Sequence, residues 1–234
     1  MRGKLLYDGK PVYQFTDADW DLAVRAVEGE AGKNACSDSE GLAVMVCMIN
    51  RWAMMLTLRW YQKLLLKQPE AKVYGFESFA DMSDSYSQPV NPAWLDGGSK
   101  DKHPGQVSAA EKRRAEFLSR PIEEFPESIR FLVARCLDGQ ALAQGVRRDM
   151  TGLVHFFLPA LYYARKLGRE RGIPDLKVRD LTDDEVLEAS RIHYGNKDKG
   201  LVYSQPAGVN PRSNAFYKIP RTRRWGSDTI KVVP

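Results

Sequence analysis

A mainly α-helical fold with small β or irregular elements is predicted by three observations. Capping boxes, in which a hydroxyl residue and an acid three positions on satisfy each other's backbone donors, stand at Ser37-x-x-Glu40, Ser108-x-x-Glu111 and Thr182-x-x-Glu185, with a variant at Thr16-x-x-Asp19. Behind Thr16, residues Trp20, Val24, Val27 and Ala31 share one face of a helix turning about 100° per residue. Behind Ser37, the stretch from Leu42 to Ile49 is apolar nearly all round, the pattern of a central, buried helix.

Residues 1–15 read as an extended arm with a turn at Gly9-Lys-Pro11. The first helix starts at Asp17 and ends near Gly32. Its Asp21, Arg25 and Glu28 cluster as i,i+4 and i,i+3 partners, expected on a solvated face. The second helix opens at Ser37 with Glu40 as a cap, and the tract Trp52–Leu66 continues or follows it. Residues 72–107 read as an irregular loop rich in Gly, Pro, Ser, Asp and aromatics. A loop so long inside a compact domain is usually functional. It holds Tyr86-Ser-Gln-Pro-Val-Asn-Pro92 and Trp94, which suit stacking on a sugar and equally suit a rigid surface turn.

Further helices are expected over about 109–119, from Pro126 to near Gly139, over about 160–171 and from Thr182 to about 193. Between them, Asp149-Met-Thr-Gly-Leu-Val-His-Phe-Phe-Leu-Pro159 is short, apolar and β-compatible. The final forty residues read as an ordered but irregular tail. Tyr203-Ser-Gln-Pro-Ala-Gly-Val-Asn-Pro211 echoes the segment at Tyr86, but the flanks do not match, so no repeat architecture follows. Convergent turn chemistry accounts for the echo, as do two loops facing one groove.

An apolar share of 43% and a mean hydropathy of −0.44 describe a globular chain, and no run approaches the ~18 apolar residues of a membrane span. The start, Met1-Arg-Gly-Lys-Leu-Leu-Tyr-Asp8, lacks an apolar signal region, so export by the general route is not expected. Cys36, Cys47 and Cys136 show no Cys-x-x-Cys spacing, and Cys47 sits in an apolar run. A reducing compartment and no disulfide framework are expected. His103, His155 and His193 are scattered singly, which argues against a metal site, and no cofactor is expected. The net charge of +5 comes from the C-terminal third, where residues 165–234 hold 15 Lys+Arg against 9 Asp+Glu. Its Arg221-Thr-Arg-Arg-Trp225 cluster lacks periodic aromatics, so nucleic acid is not the expected partner.

One carboxylate is out of place. Glu30 falls beside Ala23, Ala26 and Val27 on the flank of the apolar stripe, while Glu28 points roughly the opposite way. A carboxylate against apolar neighbours is costly unless paired or neutral, and desolvation raises its pKa toward the range of a general acid. Fraying at Gly32 that frees Glu30 into water, or a buried Arg beside it, fits the same spacing. Glycosidic bonds break by protonation of the leaving oxygen, usually between two carboxylates. One acid suffices where the sugar supplies its own nucleophile. Asp81 and Asp84 are the other acids within reach of such a role.

Glu28-Gly-Glu-Ala31, a polar spacer and Glu40-Gly-Leu-Ala-Val-Met-Val-Cys-Met-Ile-Asn-Arg51 together resemble the opening motifs of SleB-type cell-wall hydrolases. Phe79 with Tyr86-Ser-Gln-Pro89 resembles that family's groove segment more loosely. Asp149-Met-Thr-Gly152 with His155-Phe-Phe157 resembles its closing Asp-Pro-Thr-Gly…His element, with Met150 in place of Pro. The match covers roughly 17–165. The resemblance implies a goose-type lysozyme or lytic transglycosylase fold, with Glu30 as general acid and then base on the bond after N-acetylmuramic acid. It implies a groove lined by Tyr86, Ser87, Gln88 and Asn91, with His155 near Glu30 or structural beneath it, and Asn50 and Arg51 as a polar clamp. The expected organisation is an arm (1–15), a peptidoglycan-cleaving domain (16–168) and a basic extension (169–234) that docks to other virion subunits of a phage particle. The competing expectation is a virion adaptor that keeps the scaffold without turnover.

Overall fold

The computed structural model describes residues 2–31, 38–57, 69, 71–72, 75–86, 115–140, 150, 152–194, 201–218 and 230–234. Over these the chain is mainly helical, with two small antiparallel sheets. Helix α1 (Asp17–Ala31) packs against helix α2 (Asp38–Thr57) at the centre. As its apolar stretch requires, α2 is surrounded: Ala43 to Ile49 and Trp52 to Met55 are all buried. Each Val, Ile or Met side chain so withdrawn from water contributes about 1.5–3 kcal/mol, and this helix anchors the main core.

The start of α1 is a hydrogen-bond hub. The Thr16 N–H and hydroxyl donate to Asp19 Oδ2 at 2.8 and 2.9 Å, and the Asp19 N–H donates back to Thr16 Oγ1 at 3.2 Å. This is the reciprocal cap that the sequence predicts. The same fully buried carboxylate also takes the Tyr13 hydroxyl at 3.0 Å and the Ala80 N–H at 2.9 Å. Tyr13 in turn accepts from the Phe79 N–H at 3.1 Å. Burial, reinforced by the Asp19 charge and partly offset by that bond, pushes the Tyr13 phenol well above its ordinary pKa.

Ala80 and Phe79 belong to helix α3 (Phe79–Tyr86), which replaces part of the irregular loop expected over 72–107. It carries its own reciprocal cap: the Ser78 N–H donates to Asp81 Oδ2 at 2.9 Å, and the Asp81 N–H donates to Ser78 Oγ at 3.0 Å. Asp81, expected within reach of a catalytic role, is therefore a capping residue. Phe79 and Met82 enter the core, and Phe79 meets Phe15 edge-on at 5.4 Å.

The expected N-terminal arm is a β-hairpin instead. Strands β1 (Lys4–Tyr7) and β2 (Lys10–Gln14) turn through Asp8 and Gly9, both at positive φ, the geometry favoured in tight hairpins. Pro11, which cannot donate, sits in the edge strand. Residues 115–119 are helical, and helix α4 (Glu127–Leu137) follows Pro126 as expected and ends before Gly139. Gly139 is at φ +80°, and a Cβ there would lie 2.8 Å from the Val232 carbonyl, so only glycine lets the chain pass.

Both helices expected in the C-terminal third form, and the final forty residues, expected as an irregular tail, hold three short strands among the described residues. Strand β3 (Leu153–Phe157) leads into helix α5 (Pro159–Arg171), closed by Gly172 at φ +69°. Helix α6 (Asp183–Tyr194) opens on the expected Thr182–Glu185 box, at 2.8 and 3.2 Å. Strand β4 (Val202–Tyr203) pairs with β5 (Ala215–Lys218), which pairs with β3, in the order β3-β5-β4. Strand β6 (Ile230–Val233) pairs with β1, setting Leu5 opposite Val232. β5 and β6 offer backbone donors and acceptors that β3 and β1 would otherwise leave unmet. The two ends of the chain are thus parts of the fold and not appendages to it. The Arg221–Arg224 cluster lies outside the described residues. Among the described residues, no helix is long and apolar enough to cross a membrane.

Candidate active site

Glu30 projects from the last turn of α1, half-buried, into a cleft enclosing about 350 Å3 with the solvent above it. Four elements build its walls. α2 contributes Cys47, Met48 and Arg51, α3 contributes Met82 and Ser83, and β3 contributes Val154 and Phe156. Positions 47, 48 and 51 share one face of α2 because they are separated by one turn. The Asn50 amide donates to the Leu153 carbonyl at 2.8 Å and so fixes β3 against α2. The Asp19 hub does the same for α3 at the other end of α1.

The cleft is apolar apart from Glu30, Arg51 and Ser83. Ser83 is 2% exposed, and its hydroxyl has no hydrogen-bond partner among the described residues. A buried hydroxyl without a partner is costly, and a polar group entering the cleft would relieve it. Burial pushes the Cys47 thiol well up, despite the nearby Arg51 charge and a hydrogen bond from the His155 backbone. Cys47 is therefore an inert wall of the cleft, in keeping with its expected role as a small hydrophobe.

The neighbouring acids have other fates. Glu28 is buried and paired with Arg120, whose guanidinium lies 3.5 Å above the Phe125 ring. Arg25 is also buried: it binds Asp21 in a fork at 2.8 and 3.1 Å and donates to the carbonyls of Phe117 and Arg120. The solvated face expected for these residues is corrected on this point. The Asp21–Arg25 pair forms, but residues 117–125 lie across it. Helical periodicity says which residues share a face and not what covers it.

Glu40 is 1% exposed, and its Oε1 accepts from the Asn214 amide at 3.0 Å. Burial raises its pKa, with the Asn214 hydrogen bond acting the other way. The same Asn214 amide donates to the Glu30 carbonyl at 3.2 Å. Asn214, Ser83 and Met82 were not singled out in the sequence. The Ser78-x-x-Asp81 box was the signal for α3, whereas nothing local to Asn214 announces a partner so distant in the chain.

Of the expected groove residues, Ser87, Gln88 and Asn91 lie outside the described residues. Tyr86 ends α3, and its side chain lies outside them as well. His155 rests against Tyr217 with ring centroids 6.1 Å apart, while its neighbours Val154 and Phe156 line the cleft. Among the described residues, no group of His, Cys, Asp and Glu could hold a metal ion. No family model, curated protein or solved structure matches the chain.

Proposed function

We propose that the chain cleaves peptidoglycan as a lytic transglycosylase, with Glu30 as its single acid and base. One observation carries the reading: a half-buried carboxylate at the wall of an apolar cleft that also presents a guanidinium and a hydroxyl without a hydrogen-bond partner among the described residues. The resemblance of Glu28–Ala31 and Glu40–Arg51 to SleB-type hydrolases supplies the substrate class.

In this reaction Glu30 gives its proton to the oxygen that joins C1 of N-acetylmuramic acid to the next sugar, as that C1–O bond breaks. The carboxylate left behind takes the proton of the muramic C6 hydroxyl. The C6 oxygen bonds to C1 and closes a 1,6-anhydro ring, so no water is consumed and Glu30 ends protonated. Met48, Met82, Val154 and Phe156 shield the acid from water, and Arg51 shares the cleft with it.

The decisive experiment is clearing of purified sacculi by the wild-type chain and by Glu30→Gln. Clearing by the wild type alone supports the enzyme. Absence of clearing by both supports a scaffold without turnover, the virion adaptor. Mass spectrometry of the products then separates anhydromuramic ends, expected here, from the reducing ends of a muramidase.

A further inference from the structure

We infer that Asn214 is a positioning residue: its side-chain amide fixes the last turn of α1, from which Glu30 projects. The inference rests on the reaction proposed at Glu30. Asn214 is 6% exposed, and its nitrogen lies 3.2 Å from the Glu30 carbonyl and 3.0 Å from Glu40 Oε1. An amide nitrogen carries two hydrogens, one for each of these acceptors. The opposite amide orientation would aim an oxygen at a carbonyl and a carboxyl, so the chemistry of the partners fixes the assignment.

The amide is itself held. Gln205 Nε2 donates to the Asn214 carbonyl at 2.9 Å and to the Val209 carbonyl at 3.3 Å, and Gln205 Oε1 accepts from the Phe216 N–H at 3.3 Å. Val209 is buried in the main core, and Gly208, at φ +78°, leaves room for Ser39 at the start of α2. Arg212 ties the same loop to the carbonyls of Val178 and Leu181 at 2.8 Å each. The second Tyr-Ser-Gln-Pro segment is thus a strut. It reaches from β5 to the last turn of α1 and the first turn of α2 and supports the backbone that carries the acid. The resemblance to the hydrolases ends near residue 165, so this support comes from sequence outside it.

The test uses the full chain labelled with 13C at the glutamate carboxyl carbons, in wild type, Asn214→Asp and Asn214→Ser. The Glu30 signal is assigned by its loss in Glu30→Gln, and turnover is measured on soluble, uncrosslinked glycan strands. Asn214→Asp replaces two donors by acceptors. It is expected to move the Glu30 resonance and its titration midpoint and to lower kcat roughly 10- to 100-fold, the effect of a misplaced acid. KM is expected to stay within about twofold, because Asn214 does not touch substrate. Asn214→Ser keeps one donor and should fall between, and it carries the test if the Asp variant does not fold. An unmoved Glu30 resonance in a folded variant overturns the inference, as does a rise in KM with kcat unchanged. If the wild type turns over no glycan, the proposed reaction fails, and the resonance alone then upholds or overturns the fixing of Glu30.

Discussion

Glu28 and Glu30 stand two residues apart on α1 and meet opposite surroundings. Glu28 is buried under residues 117–125 and held by Arg120, whose planar cation also covers Phe125. Glu30 stays half-buried at a cleft whose walls come from three other elements. A helix turns its residues by about 100° each, so a spacing of two sends them to nearly opposite sides. The difference lies in what the rest of the chain lays over each side. The fold pairs one acid with a guanidinium inside the core and sets the other at the wall of a cleft.

The sharpest way to break this comparison is to neutralise each acid. Glu30→Gln should lower glycan cleavage by about 10²–10⁴-fold, the usual contribution of a positioned acid, with little change in thermal stability. Comparable cleavage by the variant would remove Glu30 from the chemistry. Arg120→Ala should act on stability instead. It leaves Glu28 as a buried charge without its guanidinium, at a cost of about 3 kcal/mol, near the lower bound for such pairs because Arg120 is partly exposed. In a chain of this size that lowers Tm by about 6–12 °C in a thermal melt. Cleavage by the folded fraction should persist.

Ser83→Ala tests the other wall of the cleft. Its hydroxyl is expected to bond a polar group of the bound glycan, so removing it should raise KM roughly tenfold, as one lost hydrogen bond does. Stability should hold or rise slightly, because a buried hydroxyl without a partner among the described residues disappears. An unchanged KM would mean that the glycan does not reach α3.

What the sequence disclosed follows the range of each interaction. The Thr16–Asp19 and Thr182–Glu185 caps are local, three residues across, and both form as read. The Ser78–Asp81 cap is equally local, but its Gly- and Pro-rich surroundings drew the reading toward a loop. Position of Glu30 beside the apolar stripe was also legible, since helical spacing alone sets it. Strands β5 and β6 were not: Ala215-Phe-Tyr-Lys218 and Ile230-Lys-Val-Val233 are four residues each, and their partners β3 and β1 lie far away in sequence. For the same reason the cover over Glu28 and the reach of Asn214 to Glu30 have no local sequence signal.

A third acid sharpens the comparison most gently. Glu40 is as buried as Glu28 but faces an amide, Asn214, which offers a hydrogen bond and no charge. Burial therefore raises its pKa above the ordinary 4.5. The folded chain then holds this proton more tightly than the unfolded chain does. Stability falls as pH rises from about 4.5 toward the folded pKa and levels off above it. Glu40→Gln keeps an oxygen for the Asn214 amide and removes the charge. Its Tm should match the wild type at pH 4 and exceed it at pH 7.5, in paired thermal melts. A lower Tm at pH 7.5 would mean that the Glu40 charge is stabilised in place, and that burial by itself does not separate this acid from Glu28.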